Sequence, residues 1–481
     1  MNFDRFNIDR RRFLKGVSAA GVAGVAGMSA GCTPQKTFDP SLHSTTLEGA
    51  IDEQGQRVLP WANWSGNQSC EPNKRSVPQD MDELVNVIKQ TKQGIRLVGS
   101  GHSFSPLVPT GETLMSLAAF WGISNIDKNK KQFDVGANTV LAYVGEELWD
   151  SGLSLINMPD INTQTFGGSI ATSTHGTGKN FGSLSTQVAE ITLVNGEGEV
   201  IVCSDDKDKD VFDAARCSLG ALGAITSIKM NAESKYHLRE RSWMMNLEEG
   251  LAQLETLRDN ISHFEAYALP HADYILGLDI ERIDESELQT QKTSNGDAYE
   301  TFRTIANVVD KVPFLKRFVI NTAASTVGEE VRTGRNYEIF GNLRDIRFNE
   351  MEYSVPAEHG VNCLREVLNA IKQADSDVIF PIEYRYIKAD DIWLSPFFQR
   401  DACAISCHNF HDKDYKKYFA LLEPIFRKYQ GRPHWGKLHT LTAQQQAENY
   451  PKFDEFLRVR QAMDPRGIFA NQHIKQVLGL V

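Results

Sequence analysis

Hydrophobic positions along this chain follow two periods, and the switching between them outlines its elements. Met81, Leu84, Val85 and Ile88 recur at helical spacing behind Asp80, an N-cap residue with Glu83 three positions on. Gly94 closes that helix, and the short apolar run Ile95–Val98 reads as a strand. Residues 191–194 and 200–202 flank Asn195-Gly196-Glu197-Gly198-Glu199, a pattern that predicts a β-hairpin. A short helix over 211–218 and a strand over 225–230 follow, joined by Leu219-Gly220-Ala221-Leu222-Gly223-Ala224. Pro381-Ile382-Glu383-Tyr384-Arg385-Tyr386 alternates, so Glu383 and Arg385 leave one face of a strand and Ile382 and Tyr384 the other. Residues 404–410 read as a further strand, carrying His408, and 453–463 as an amphipathic helix. The charged stretch 283–337 reads as helical. Helices and strands mixed in this order predict an α+β fold.

Composition narrows the field of functions. With 481 residues the chain can hold two or three domains with sizeable cores. A net charge of −11 argues against nucleic acid or an anionic membrane surface as partner. No run of about 18 apolar residues marks a spanning helix. The first thirty residues are different material: Asp9-Arg10-Arg11-Arg12-Phe13-Leu14-Lys15-Gly16 matches the twin-arginine export pattern, although Asp9 stands where serine or threonine is usual. A mild Ala/Gly/Val stretch follows, too short to span stably. This predicts a signal over 1–31, an exported, periplasmic protein and the export machinery as a partner. Ser29-Ala30-Gly31-Cys32 resembles a lipoprotein box, which makes Cys32 a candidate lipid anchor. The other six cysteines fit no zinc spacing, no metal site is expected, and free, buried thiols are the simplest state for a chain of this length.

Chemistry concentrates in glycine-rich stretches. Gly99-Ser100-Gly101-His102-Ser103 follows the Ile95–Val98 strand, and its two glycines let backbone N–H groups approach a ligand closely. The nicotinamide fingerprint would need a third glycine and a helix, yet Phe104 and Pro106 stand where that helix should begin. Residues 165–178 carry four glycines and a run of hydroxyl side chains with almost no charge, which reads as a loop wrapping a pyrophosphate.

These stretches, in this order and spacing with Leu219–Ala224 and Ile225, resemble the FAD domain of vanillyl-alcohol-oxidase-type flavoproteins. Within that group the chain is most similar to the sugar-1,4-lactone and alditol oxidases, over residues 57–480 and least across 283–337. The resemblance implies a two-subdomain FAD-binding domain of the p-cresol methylhydroxylase type over 57–232, after a linker over 32–56. It implies a substrate or cap domain over 233–450, built on an antiparallel sheet with helices. The segment 451–481, with Asp464-Pro465-Arg466-Gly467-Ile468-Phe469-Ala470-Asn471, would return to the FAD domain. It further implies FAD held covalently through His102 and contacted by Gly99, Ser100, Gly101, Ser103, Asn157, Thr165, Gly168, Ser169, Ile170, Ala171, His175, Gly176 and Ile225. Glu383, Arg385 and Lys437 would form the catalytic group, with His408 in the same cavity.

On this reading an alcohol of a sugar lactone or polyol passes hydride to the flavin, and dioxygen takes the electrons to give hydrogen peroxide. Arg385 and Lys437 would stabilise developing negative charge, while Glu383 either orients hydroxyls or accepts the proton. Three rival readings stand beside it: a dehydrogenase passing electrons to a quinone or cytochrome, a flavin carrier without turnover, and glycolate-type or aromatic-alcohol oxidation on the same fold. A plain cross-face ion pair is the rival account of Glu383 and Arg385.

Overall fold

The computed structural model describes residue 51 and residues 55–289, 298–341 and 346–480. The twin-arginine stretch and Cys32 lie outside the described residues.

The first part of the fold grows from the helix Met81–Gln90. Asp80 accepts the Glu83 N–H at 2.8 Å and the Glu83 carboxylate accepts the Gln79 N–H at 2.9 Å, while Leu84 and Ile88 are buried. The strand Ile95–Val98 then pairs in parallel with Thr113–Ser116, which pairs in turn with Lys74–Ser76. Ile95–Val98 is an edge strand of this small sheet, so the glycine turn that follows it opens outward. A second sheet of five antiparallel strands runs, in order, Val200–Ser204, Val188–Val194, Ala224–Asn231, Gln132–Gly136 and Ile123–Asp127. The predicted hairpin is its first pair. The predicted short helix is Lys209–Ala215.

Arg96 ties these pieces to one another. Its buried guanidinium donates to the carbonyls of Leu107 at 2.8 Å, Leu219 at 3.1 Å, Gly220 at 3.2 Å and Phe469. Burial pushes its pKa down to about 10. A cation shared among four carbonyls fixes the glycine turn against the 219–223 loop and the C-terminal motif. That motif is held by its own bonds as well. Arg466 donates to the carbonyls of Gly196 and Ile88, and Asn471 to those of Pro106 and Pro109.

The second part is one antiparallel sheet of eight strands. Its central members, side by side, are His263–Ala268, Ile382–Ile387, Ala402–Phe410 and Phe348–Pro356. Alternation splits their side chains cleanly. Ala266, Tyr384, Cys403, Ile405, Met351 and Tyr353 join the apolar core with the helices Leu247–Asn260, Gly360–Gln373 and Lys416–Lys428. Glu265, Tyr267, Glu383, Arg385, Ser406, His408, Glu350 and Glu352 leave the opposite face.

Two local expectations need correction. The stretch 165–178 is not loop throughout: Phe166–Ala171 is a short helix. Gly167 and Gly168 are compatible with it because the helix packs closely on Ala137 and Thr165, where a Cβ at either glycine would lie about 3.1–3.2 Å from them. The charged stretch 283–337 contains the helices Ala298–Lys311 and Lys316–Ala324, but Glu330–Arg335 is a strand at the edge of the large sheet, paired with His237–Asn246. An edge strand with one wet face needs no apolar run, so charge alone misleads there. The six described cysteines are free, five of them buried.

Candidate functional site

Two cavities meet at His102. The first is an elongated cleft beside the glycine turn. Its walls are largely backbone: the turn Gly99, Ser100, Gly101, His102 and Ser103 on one side, Thr165, Gly167, Gly168 and Ala171 on another. Gly220, Gly223 and Ile225 close its far end, and Leu107, Val108 and Leu117 supply apolar surface. Glycine is required at Gly101, whose φ of +67° is left-handed and whose Cβ would sit 3.1 Å from the Trp61 ring. It is required equally at Gly223, where a Cβ would lie 2.3 Å from the Val194 carbonyl oxygen. Exposed backbone N–H groups beside a hydrophobic wall suit a long cofactor with a phosphate centre and flat rings, so this cradle fits FAD.

The glycine turn is clamped from outside by residues 61–68. Trp64 N–H donates to the Gly101 carbonyl at 2.8 Å, Asn63 donates to Ser103 O at 2.9 Å, and Asn67 and Gln68 both donate to Phe104 O at 3.0 Å. The Trp64 ring lies over the His102 imidazole, centroids 4.7 Å apart. The imidazole is thereby held at the mouth of the cleft.

The second cavity is a polar chamber on the inner face of the large sheet. His102, Ser103, Gln164 and Thr172 line both cavities. Glu383, Arg385, Lys437 and His408 all line the chamber, as do Asp160, His175, Glu350, Glu352 and His434. The four catalytic candidates named from sequence therefore converge, though they come from two strands and a loop.

Each charge in the chamber is met by another. Arg385 donates to Glu383 at 2.5 Å and to Glu265 at 2.8 Å, with Asp160 at 3.8 Å. Burial alone would lower its pKa, but the Glu383 and Glu265 carboxylates hold it well above the ordinary arginine value. Lys437 donates to Glu350, and His408 lies 3.5 Å from the same carboxylate. Burial would raise the Glu350 pKa, yet Lys437 and His408 keep it well below the usual carboxylate range. Glu352 accepts from Ser406 at 2.9 Å and faces His175 Nε2 at 2.8 Å. Against a desolvation cost that would raise it, His175 and His434 hold its pKa low.

His434 differs from the other histidines. The Gly436 N–H donates to its Nδ1 at 3.0 Å, which leaves the ring proton on Nε2. Burial pushes its pKa down to about 4, so it is neutral at physiological pH. Two groupings, His175–Glu352–His434 and Glu350–Glu383–His408, have ligand atoms close enough to hold a divalent ion. In the second grouping the Lys437 ammonium already occupies Glu350, and in the first a backbone N–H occupies His434 Nδ1, so each has a donor that a cation bound at that atom would have to displace.

Of the residues expected at the cofactor, Asn157, Ser169, Ile170, His175 and Gly176 are not among those that line the cleft. His175 lines the chamber instead of the cleft. Asn157 props the turn before it, donating to Thr177 O at 3.1 Å and accepting the Met158 N–H at 2.9 Å. Gly176 sits where a Cβ would lie 2.3 Å from Met158 O. The Ser169 hydroxyl donates to Thr165 O at 3.0 Å inside the short helix, and the Ile170 side chain joins the core. Sequence reading missed Glu265, Tyr267, Glu350, Glu352, Asp160 and His434. The acids at 350 and 352 did carry a signal: they alternate with Met351 and Tyr353 in a strand buried along its whole length.

Comparison with known proteins points the same way as the geometry. The family profile described as D-arabinono-1,4-lactone oxidase matches residues 228–477, straight through 283–337, and one described as FAD binding domain matches 76–204. The chain is 34% identical to an L-gulono-1,4-lactone dehydrogenase of Mycobacterium tuberculosis, over 87% of this chain and 99% of that one. It is 30% identical to the L-gulonolactone oxidase of Mus musculus, over 88% of this chain and 99% of the relative. Among solved structures, a solvent-stable cholesterol oxidase shares the fold with a TM-score of 0.74 at 18% identity, covering 88% of this chain and 97% of the other.

Proposed function

Because this chain belongs to the D-arabinono-1,4-lactone oxidase family, we propose that it is an FAD-dependent enzyme oxidising an alcohol group of a sugar-1,4-lactone or related polyol. The observation that carries this reading is the junction at His102, where a glycine-walled cleft opens directly into a chamber of paired acids and bases. Bound FAD supplies the two-electron acceptor for the carbinol hydride. The turn 99–103, Thr165, Gly168, Ala171 and Ile225 would hold it, with the His102 imidazole joined to the C8 methyl group.

The remaining work falls to the chain's own side chains. Arg385 and Lys437 are cations held in place by carboxylates on the chamber wall, so they favour negative charge developing on the substrate oxygen. Glu383 faces the same space and accepts or orients a hydroxyl. His434, neutral with its proton on Nε2, is a donor for a ring or carbonyl oxygen of the substrate. Every cation named is already paired with a carboxylate, which suits a neutral sugar lactone better than an open, anionic aldonate.

Dioxygen as second acceptor, giving hydrogen peroxide, is favoured by the family description and by the murine relative; the mycobacterial relative, named a dehydrogenase, marks the alternative. An oxygen electrode decides between them. With L-gulono-1,4-lactone or a C5–C6 polyol, oxygen uptake with stoichiometric peroxide is the expected result. Turnover only with an added quinone or dye acceptor would make the enzyme a dehydrogenase, and no turnover with either would remove the proposal.

We further propose export by the twin-arginine route, which carries proteins already folded around a cofactor, with Cys32 as a lipid attachment point. The support is the run Arg10-Arg11-Arg12-Phe13-Leu14-Lys15. Replacing Arg10 and Arg11 with lysine should strand flavin-loaded protein in the cytoplasm, as cell fractionation would show; unchanged export of the variant would contradict the route.

A further inference from the structure

Lys437 sits on the loop between Arg432–Pro433 and the helix Ala443–Asn449, and that loop hangs from one strand of the large sheet. Glu350, on Phe348–Pro356, holds it twice. The Glu350 carbonyl accepts the Leu438 N–H at 2.9 Å, and the Glu350 carboxylate accepts from Lys437 Nζ. Two residues along, the Glu352 carbonyl accepts the His434 N–H at 3.0 Å. The other side of the loop holds the glycine turn. The Gly436 carbonyl accepts the Phe104 N–H at 2.7 Å, and the Trp435 carbonyl accepts the Ser105 hydroxyl at 2.6 Å. The loop is thus a bridge between the turn that carries His102 and the wall of the chamber.

Lysine carries its charge on a flexible four-carbon stem, so unlike the planar fork of arginine it needs outside anchors to stand preorganised. Two anchors are in place. Lys437 Nζ lies 5.1 Å from the centroid of the Phe104 ring, a cation–π contact. Phe104 stacks in turn on Phe348, two residues before Glu350, with centroids 5.6 Å apart. The second anchor is Glu350, a buried carboxylate kept ionised by Lys437 and His408. Its two oxygens are both taken, Oε2 by Lys437 and Oε1 by His408, its partner in the strand register. By charge alone a carboxylate here is unhelpful, since it offsets the field that Lys437 lends to the substrate. What it supplies is place.

We propose that Glu350 is a positioning residue of the reaction, one that acts through Lys437 by fixing its ammonium at the chamber wall, where negative charge develops on the substrate oxygen. Glu350 itself bonds no reacting atom. The inference rests on the function proposed above and adds to it the residue that holds one of its two cations in place.

Two other accounts of Glu350 predict different behaviour. It could act through His408, its partner across the register, or the buried pair with Lys437 could serve stability alone. Non-additivity separates them. A residue that acts only through Lys437 has nothing left to do for the rate once Lys437 is gone, whereas one that acts through His408 keeps its effect. A purely structural pair couples in stability and leaves the rate per folded molecule as it was.

The test is a double-mutant cycle of Glu350→Gln and Lys437→Met in the flavin-loaded enzyme, read by anaerobic stopped-flow reduction with L-gulono-1,4-lactone. Glu350→Gln should lower the limiting rate about tenfold or more, a share of the roughly 10²–10³ that one preorganised charged donor contributes. The half-saturating lactone concentration should change little, because the charge matters most in the transition state. In the Lys437→Met background the same substitution should move the limiting rate by less than about twofold. Flavin content and thermal midpoint report folding. Should Glu350→Gln fail to fold, Glu350→Asp, which keeps the charge but withdraws it by one methylene, takes its place in the cycle with the same expectation. Losses that multiply, with Glu350→Gln slowing Lys437→Met as much as it slows wild type, overturn the inference. So does a Glu350 variant that reduces its flavin as fast as wild type. Wild-type flavin left unreduced by any lactone or polyol would overturn the function itself, and this role with it.

Discussion

Arg385→Ala is expected to lose both rate and stability. Arg385 is 8% exposed, and its guanidinium is bonded to Glu383 and Glu265 at once. Removing a preorganised charged donor from a catalytic chamber typically costs about 10²–10³ in kcat. Truncation also leaves two buried carboxylates facing each other across Tyr267. Breaking a buried pair in this way costs about 3–5 kcal/mol. The sequence alone suggests a change in rate with little change in stability, because Glu265 cannot be seen beside Arg385 in it. Single-turnover rates per bound flavin and denaturant midpoints separate the two effects. A variant that is unstable yet fully active per flavin would reduce Arg385 to a structural ion pair.

His102→Ala carries the second large effect. The imidazole stands at the junction of cleft and chamber, under the Trp64 ring and on a turn clamped by Asn63, Asn67 and Gln68. The bonds from Asn63, Asn67 and Gln68 all end on backbone carbonyls of Ser103 and Phe104, so the turn should survive the substitution and FAD should still bind. Covalent attachment should vanish. Acid-precipitated wild type should give a yellow pellet, and the variant a colourless pellet with all flavin in the supernatant. A colourless wild-type pellet would leave His102 as a non-covalent neighbour of the ring. The variant should also fade on dialysis, since affinity alone then retains the cofactor.

What could be read in advance followed local rules. Period-two alternation put Glu383 and Arg385 on one strand face, and a glycine-rich turn after a strand marked a ligand cleft. Both are set by residues within a few positions of one another. Glu265 and Tyr267 escaped because their meaning depends on strand order: the register that sets Tyr267 opposite Glu383 joins residues 116 apart. His434 was passed over for the lysine three positions on, since only the backbone N–H of Gly436 reveals its tautomer. The short helix at Phe166–Ala171 was hidden by composition, because two adjacent glycines signal a loop unless a close neighbour such as Ala137 explains them. Glu330–Arg335 was hidden by its edge position, where charge is protective and carries no helical meaning.

The central claim is that the chamber beyond His102 oxidises a sugar lactone or polyol through FAD. Mixing purified wild-type protein with L-gulono-1,4-lactone under argon tests it most directly, following the absorbance of the oxidised flavin. The account predicts bleaching in a single exponential whose rate saturates with substrate, with one carbonyl product formed per flavin. A flavin that stays oxidised with every lactone and polyol tried, in protein that dithionite bleaches normally, would contradict it.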